Sequence, residues 1–293
     1  KVETPVERPY KYHLVTRLED VYEAQRAFQI AADQATPVGV DVETDVTLDH
    51  ANEMLDVLVG IAVAFGDQCY YGEASYDLWM QLLRERLPAV PIVAHNAKYD
   101  LSVLRRSGFP ELHLVGDGML AEYLHGVPEA GLKARVWERY GIRMITYEDV
   151  VGKGSKRRKI SECDPNLVAE YCCGDAYFGV RVEADAVAGL TEHRRELYRS
   201  DLALIPIIMG MQFDGTNFDR VAAAIELTNL EQQIALFKVA IDQIVVDTGF
   251  PSKIDTWVCT ACRNGSRKRV ANICHGRITP RRSTLEDSVA RDN

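Results

Sequence analysis

The sequence predicts an α/β fold with a helical C-terminal half. Three observations carry that expectation. Val38, Val40 and Val42 alternate with Gly39, Asp41 and Glu43, which is the period of a strand. Strand and helix patterns then alternate as far as Val115. From Asp117 onward the pattern reads as helical, interrupted by a loop at Gly152 to Pro165.

The elements follow in chain order. Thr16 and Glu19 read as a capping box at the head of a helix whose apolar stripe is Leu18, Val21, Ala24, Phe28 and Ala31. The Val38 strand comes next, and its acids share one face. Strands at Val57 to Phe65 and Gln68 to Tyr71, joined by a Gly66-Asp67 turn, complete a three-stranded antiparallel start. A helix over Asp77 to Leu87 leads to a short strand at Ile92 to Ala94, a helix from Tyr99 to Ser107 and a last strand at Leu112 to Val115. After Asp175 two long helices are expected, Ala176 to Phe213 with a kink at Pro206 and Phe218 to Thr248, joined at Asp214-Gly215-Thr216. In the second, Leu227, Leu230, Ile234, Phe237, Ile241 and Ile244 alternate spacings of three and four, the seam of an arm that needs a partner.

With 293 residues and 47% apolar content, the chain is long enough for one large domain, or for a core domain and a smaller unit. Its longest apolar stretch, Val57 to Phe65, is far short of the ~20 residues of a membrane helix, so no membrane partner is expected. Lys1 to Tyr10 is polar, without a signal pattern or an initiator Met, and reads as the start of a soluble fragment. Seven irregularly spaced cysteines fit a reducing, intracellular setting, such as the cytoplasm of a bacterial or phage-infected cell. The formal charge of -9 opposes a simple phosphate-binding surface. Pro251 to Asn293, however, carries nine Lys/Arg against four Asp/Glu, so an acidic body precedes a basic tail. Such a body suits a site that collects divalent cations, and a solvated acidic surface would look the same.

Three groups of residues carry chemistry. Asp41 and Glu43, two apart on a strand, project from one face and can hold hard cations; a solvated face is the plainer reading. Burying both on a Val-rich central strand would be costly unless a metal offset them. In His95-Asn96-Ala97-Lys98-Tyr99-Asp100, Asn96 or Asp100 reads as a helix N-cap, and Asp100 is also a third acid. In Tyr171-Cys172-Cys173-Gly174-Asp175, the i, i+4 spacing puts phenol and carboxylate on one helical face. Each group is ordinary alone; their conjunction is not.

In this order the groups resemble the Asp-x-Glu, Asn-x-x-Tyr-Asp and Tyr-x-x-x-Asp motifs of the exonuclease superfamily named for four acidic residues, Tyr subtype. The closer resemblance is to the 3′ to 5′ proofreading exonuclease domain of family A, DNA polymerase I-like, polymerases. Asp41-Val42-Glu43-Thr44-Asp45, Asn96 to Asp100 and Ile145 to Gly154 look like the corresponding stretches of that domain. The helices after Asp175 do as well, with Leu204-Ile205-Pro206 through Gly215 similar to the entry into the thumb. The resemblance covers Pro37 to Gly249. It implies a ribonuclease-H-like exonuclease fold, a mixed sheet flanked by helices, in residues 1–193 and a thumb-like helical hairpin in residues 194–250. Residues 251–293 remain as a basic Cys-containing tail.

The resemblance further implies two divalent cations, Mg²⁺ or Mn²⁺, and a catalytic set of Asp41, Glu43, Asp100, Tyr171 and Asp175. Asp41, Glu43 and Asp175 would hold one metal, and Asp41 and Asp100 would share the second. Tyr171, with Glu43, would orient the attacking water; with a usual pKa of ~10, a tyrosine positions better than it deprotonates. Thr44, Leu48, Asn96 and Tyr99 would contact the terminal nucleotides, although Leu48 and Tyr99 equally fit a core. The implied substrate is the 3′ end of single-stranded DNA or of a primer. The alternatives are an RNA-trimming exonuclease of the same superfamily and a catalytically inactive binding or structural module. The polymerase palm and fingers motifs do not occur, so the chain alone is not expected to copy DNA. It reads as a fragment that lacks its polymerase domain or as a stand-alone nuclease.

Two basic features complete the reading. Lys153, Lys156, Arg157, Arg158 and Lys159 form a run that suits a solvated loop or phosphate contact. In the tail, Cys259 and Cys262 form Cys-x-x-Cys, followed by Cys274 and His275. That is an incomplete zinc (Zn²⁺) pattern, or else a disordered basic tail with unpaired thiols.

Overall fold

The computed structural model describes residues 8–47, 51–127, 130–154, 157–215, 219–248, 257–259 and 278–280. The chain divides into two compact units, Lys1–Gly215 and Thr216–Asn293. The first is built on a six-stranded mixed sheet. Its strands are β1 (Lys11–Leu14), β2 (Val38–Asp45), β3 (Val57–Phe65), β4 (Gln68–Glu73), β5 (Ile92–Ala94) and β6 (Leu114–Asp117), in the spatial order β1-β4-β3-β2-β5-β6. β2, β3 and β4 are antiparallel neighbours, as their turn residues predict, whereas β5 and β6 join in parallel beside β2.

The alternation in β2 assigns its two faces. Val38, Val40 and Val42, with Ile61 and Val63 of β3, bury against α1 (Leu18–Gln34), α2 (Asp77–Arg86) and α3 (Ala97–Arg106) through Phe28, Trp79, Leu83 and Leu104. Ile205 and Met209 of α8 (Glu192–Asp214) close the same core. On the opposite face Ala62, Ala64, Cys69 and Tyr71 pack with Val168, Ala169, Cys172, Cys173 and Ala176 of α7 (Pro165–Ala188). Leu132 and Val136 of α5 (Leu132–Tyr140) and Val150 and Val151 of α6 (Tyr147–Val151) complete that second core. The short α4 (Gly118–Tyr123) links β6 to these helices. Each fully buried aliphatic or aromatic side chain contributes about 1.5–3 kcal/mol of apolar burial.

Gly39 sets how closely α7 lies on the sheet. A Cβ there would stand 2.3 Å from the Ala176 carbonyl oxygen, so only glycine admits the helix at this distance. The close approach brings Tyr171 and Asp175, one turn away on α7, to the acid-bearing face of β2.

Several expectations need correction. α1 is capped by Arg17, not Thr16: the Asp20 carboxylate accepts from the Thr16 and Arg17 amides at 3.1 and 3.0 Å, and Leu18 is exposed. β1 is an additional edge strand parallel to β4. The helix expected over Ala176 to Phe213 is two helices broken at Gly189 to Thr191, where Thr191 caps α8 by accepting from the Arg194 amide. Pro206 lies inside α8, and Gly215, at φ 69°, ends it.

The second unit contains α9 (Arg220–Thr248), which carries the seam residues Leu227, Leu230, Ile234, Phe237 and Ile241 on exposed positions. It also contains a short antiparallel pair, β7 (Trp257–Cys259) with β8 (Ile278–Pro280), in the stretch read from sequence as a basic tail. Among the described residues no helix is long and apolar enough to cross a membrane.

Candidate active site

The site grows from the middle of β2. Asp41 and Glu43 project toward α7, opposite Ala62 and Gly60 on β3, where the missing Cβ of Gly60 leaves room for the Tyr71 ring. The ladder slips between Glu43 and Thr44, a bulge that leaves both of these side chains buried. Asp100 enters from the first turn of α3. Asp175 enters from α7, and Tyr171 sits one turn before it. Asp41, Glu43, Asp100 and Asp175 come from three elements and act electrostatically on one another, with Glu43, Asp100 and Asp175 each almost fully buried.

So many buried carboxyls cannot all hold charge without a cation. Burial, and next the field of Asp175, push Asp41 up to about 8. Burial, then Asp41 and Asp175, hold Glu43 well above the carboxylate range. Asp100 is raised by burial, then by Asp41, Asp117 and Glu43. Asp175 is raised by burial, with the Lys133 ammonium opposing. The Tyr171 phenol is driven up by burial and by Asp175, Glu43 and Asp41, so it stays neutral and can donate a hydrogen bond.

The donor set fits hard divalent cations. Asp100 Oδ2 and Asp175 Oδ1 are buried without a hydrogen-bond partner among the described residues, an arrangement that otherwise costs about 1–3 kcal/mol per group. Carboxylate oxygens are the ligands that Mg²⁺ and Mn²⁺ prefer. One softer atom lies among them: Cys172 Sγ donates to Asp41 Oδ2 at 3.1 Å, and ligand atoms of Asp41, Glu43 and Cys172 fall within 4.8 Å of one another.

The nucleotide-contact candidates fare differently. Asn96 is the N-cap of α3 in the left-handed region, φ 73°, yet its side chain makes no capping bond and stands exposed. The cap is supplied by Asp117, which accepts from the Asn96 and Ala97 amides at 3.1 and 2.8 Å, and from Met119 and Leu120 at 2.8 and 3.3 Å. One carboxylate thus caps both α3 and α4. Thr44 and Tyr99 meet: the Tyr99 hydroxyl lies 2.6 Å from Thr44 Oγ1 and donates to buried Asp56 at 3.0 Å. Asp56 also accepts from the Thr47 and Asn52 amides, at 2.9 and 2.7 Å. Leu48 lies outside the described residues.

Lys133, Asp117, Asp56 and Cys172 were not singled out from sequence. Lys133, in the first turn of α5, pairs with Asp175 Oδ2, and its ammonium lies 3.4 Å from the Tyr171 hydroxyl and 4.4 Å from that ring's centre. A signal existed, because the helix dipole disfavours a cation in a first turn. The basic run has local partners. Lys153 pairs with Glu148 at 2.8 Å, Arg157 stacks 5.2 Å from the centre of Tyr147, and the Lys159 amide donates to Glu162. Lys156 lies outside the described residues, as do Cys262, Cys274 and His275; of Cys259 the structure describes only the β7 backbone.

A mixed sheet flanked by helices, followed by a helical C-terminal part, is the architecture of ribonuclease-H-like exonucleases. The family model described as 3′-5′ exonuclease matches residues 12–185, and the chain belongs to that family. It is similar to DNA polymerase I of Chloroflexus aurantiacus, 30% identical over 141 residues, which are 45% of this chain and 14% of that protein. It is also similar to DNA polymerase I of Pseudomonas aeruginosa, 26% identical over 274 residues, 83% of this chain and 28% of that protein. The chain therefore spans less than a third of the length of either relative. Among solved structures, one described as the apo form of a nuclease superposes with TM-score 0.52 at 18% identity, over 73% of this chain and 99% of that one. Brucella melitensis NrnC gives 0.51 at 16% identity, over 70% and 92%, and NrnC bound to pGG gives 0.50 at 16%, over 71% and 96%. At these identities the likeness is one of fold.

Proposed function

We propose that this chain is a metal-dependent 3′ to 5′ exonuclease that removes nucleotides from single-stranded or frayed DNA ends. The observation that supports the reading is that Asp41, Glu43, Asp100 and Asp175 are buried or half-buried and electrostatically linked, with one oxygen each of Asp100 and Asp175 left without a partner among the described residues. Asp41, Glu43 and Asp175 would hold one cation, and Asp41 and Asp100 a second. When bound, two such cations activate the water nucleophile, neutralise charge developing on the phosphate and stabilise the leaving 3′ oxygen. NrnC, of the same fold, has been solved with bound Mg²⁺.

The chain's own groups supply positioning. Tyr171, neutral and a donor, orients the attacking water together with Glu43. Asn96, exposed at the start of α3, would meet the terminal nucleotide together with the bonded pair Thr44 and Tyr99. A single strand is preferred because the terminal base must leave its stack to reach buried acids.

DNA is favoured as substrate by the two relatives named DNA polymerase I. In that context residues 1–193 act as the exonuclease domain, residues 194–250 as a thumb-like helical segment, and a polymerase domain outside this chain shares the primer 3′ end for proofreading. Digestion of 5′-labelled single-stranded DNA and RNA with Mg²⁺, Mn²⁺ or EDTA tests the reading. A ladder of shortened DNA that EDTA abolishes is expected. Shortening of RNA alone would replace the substrate, and no shortening of either would refute the activity.

A further inference from the structure

Lys133 is the basic residue that reaches into the acid cluster, and neither family membership nor the proposed reaction assigns it a part. Its ammonium pairs with Asp175 Oδ2, donates to the Tyr171 hydroxyl at 3.4 Å and lies 4.4 Å from the centre of that ring. Its field also acts on Asp41 and Glu43. The side chain is 30% exposed while that of Asp175 is 8% exposed, so the lysine has a way out to solvent and the carboxylate does not. The position is otherwise unfavourable for a cation, since it lies in the first turn of α5 at the positive end of the helix dipole.

We infer that Lys133 is an internal counter-ion which holds Asp175 and Tyr171 in the metal-free protein and is exchanged for the incoming divalent cation. Asp175 offers one oxygen to the ammonium and leaves the other, Oδ1, unpartnered. A cation that takes Asp175 must compete with the ammonium for the same carboxylate. The four-carbon stem lets the charge swing aside, whereas a rigid guanidinium fork would hold the carboxylate at two points. The lysine thus keeps the acids assembled before metal arrives and weakens metal binding in doing so.

This inference rests on the reading of the acids as a metal site, and the test separates the two. Mn²⁺ binding to the full chain would be measured by calorimetry and by the electron paramagnetic resonance of free Mn²⁺, without substrate, for the parent, Lys133→Met and Lys133→Arg. Lys133→Met is expected to bind Mn²⁺ about tenfold more tightly, equivalent to about 1.4 kcal/mol, while Lys133→Arg binds no more tightly than the parent. Should Lys133→Met fail to fold, Lys133→Gln removes the same charge and carries the same expectation. Unchanged or weaker binding by the neutral variant, in a parent that does bind, overturns the counter-ion role alone. Failure of the parent and the variants all to bind Mn²⁺ overturns the metal reading and the counter-ion role with it.

Discussion

Replacing Asp117 by alanine should both loosen the first unit and disable the site without touching any of the four clustered acids. The Asp117 carboxylate accepts four backbone amides, two at the start of α3 and two at the start of α4, while being 3% exposed. Loss of an N-cap acceptor costs about 0.5–2 kcal/mol per helix, so two caps together predict a loss of about 1–4 kcal/mol. Asn96 also loses what holds it at φ 73°, and Asp100 four residues on shifts with it. Urea unfolding followed by circular dichroism would read the stability, and the labelled-DNA ladder would read the site. Asp117→Ser separates the two caps, because its short hydroxyl serves α4 but does not reach the Asn96 and Ala97 amides. It should recover about 0.5–2 kcal/mol and little activity. An Asp117→Ala protein within about 0.5 kcal/mol of the parent, or a serine variant no more stable than the alanine one, would refute this account of the double cap.

Other expectations follow from the same geometry. The carboxyls of Asp41, Glu43 and Asp100 are raised in the folded protein, so their contribution to stability is fully present below the unfolded carboxylate range near ~4 and is lost as pH climbs through the folded values, about 8 for Asp41. In EDTA the melting temperature should therefore fall from about pH 5 to about pH 9, and Mg²⁺ should flatten or reverse that fall; a rise in EDTA over the same window would contradict the burial of these acids. Gly39→Ala should destabilise by about 1–3 kcal/mol and depress activity by lifting α7, since its Cβ meets the Ala176 carbonyl at 2.3 Å; a neutral melting curve with full activity would count against that role. Tyr171→Phe should leave a slower ladder with an unchanged pH profile, because the phenol is neutral throughout; loss of an alkaline limb in the variant would instead make Tyr171 a base. Tyr99→Phe, which removes the bonds to Thr44 and Asp56, should cost about 1–2 kcal/mol by thermal unfolding, and a stabilised variant would rule out this link.

The parts of the fold that were legible in the sequence are those whose pattern is local. Val38, Val40 and Val42 announce β2 and its buried face, and Gly66-Asp67 announces the β3–β4 turn, because period and turn chemistry need no distant partner. β1 was missed because Lys11 to Leu14 is only four residues long, too short for the alternation of Lys11 and His13 with Tyr12 and Leu14 to stand out, and it gains its place by pairing with β4. The break between α7 and α8 carries no proline, and its signal, Gly189 followed by the capping Thr191, is weak beside the helical run around it. In the site, the order and spacing of the acids drew attention to Asp41, Glu43, Asp100 and Asp175. Asp117 and Lys133 were opaque for a physical reason. Asp117 acts on Asn96 across 21 residues and Lys133 on Asp175 across 42, contacts that only the packing of β5 beside β6 and of α5 against α7 brings about.

The central claim is that these four carboxylates together hold the catalytic cations at the 3′ end of a nucleic acid. Its most direct test is anomalous diffraction from crystals grown with Mn²⁺ and a short DNA strand bearing a phosphorothioate at its last linkage. Two anomalous peaks about 3.5–4 Å apart, both touching Asp41, with Asp100 on one side and Glu43 and Asp175 on the other, are predicted beside the terminal phosphate. No peak at Asp41, or a strand whose 3′ end lies away from Asn96 and Asp100, would contradict the account.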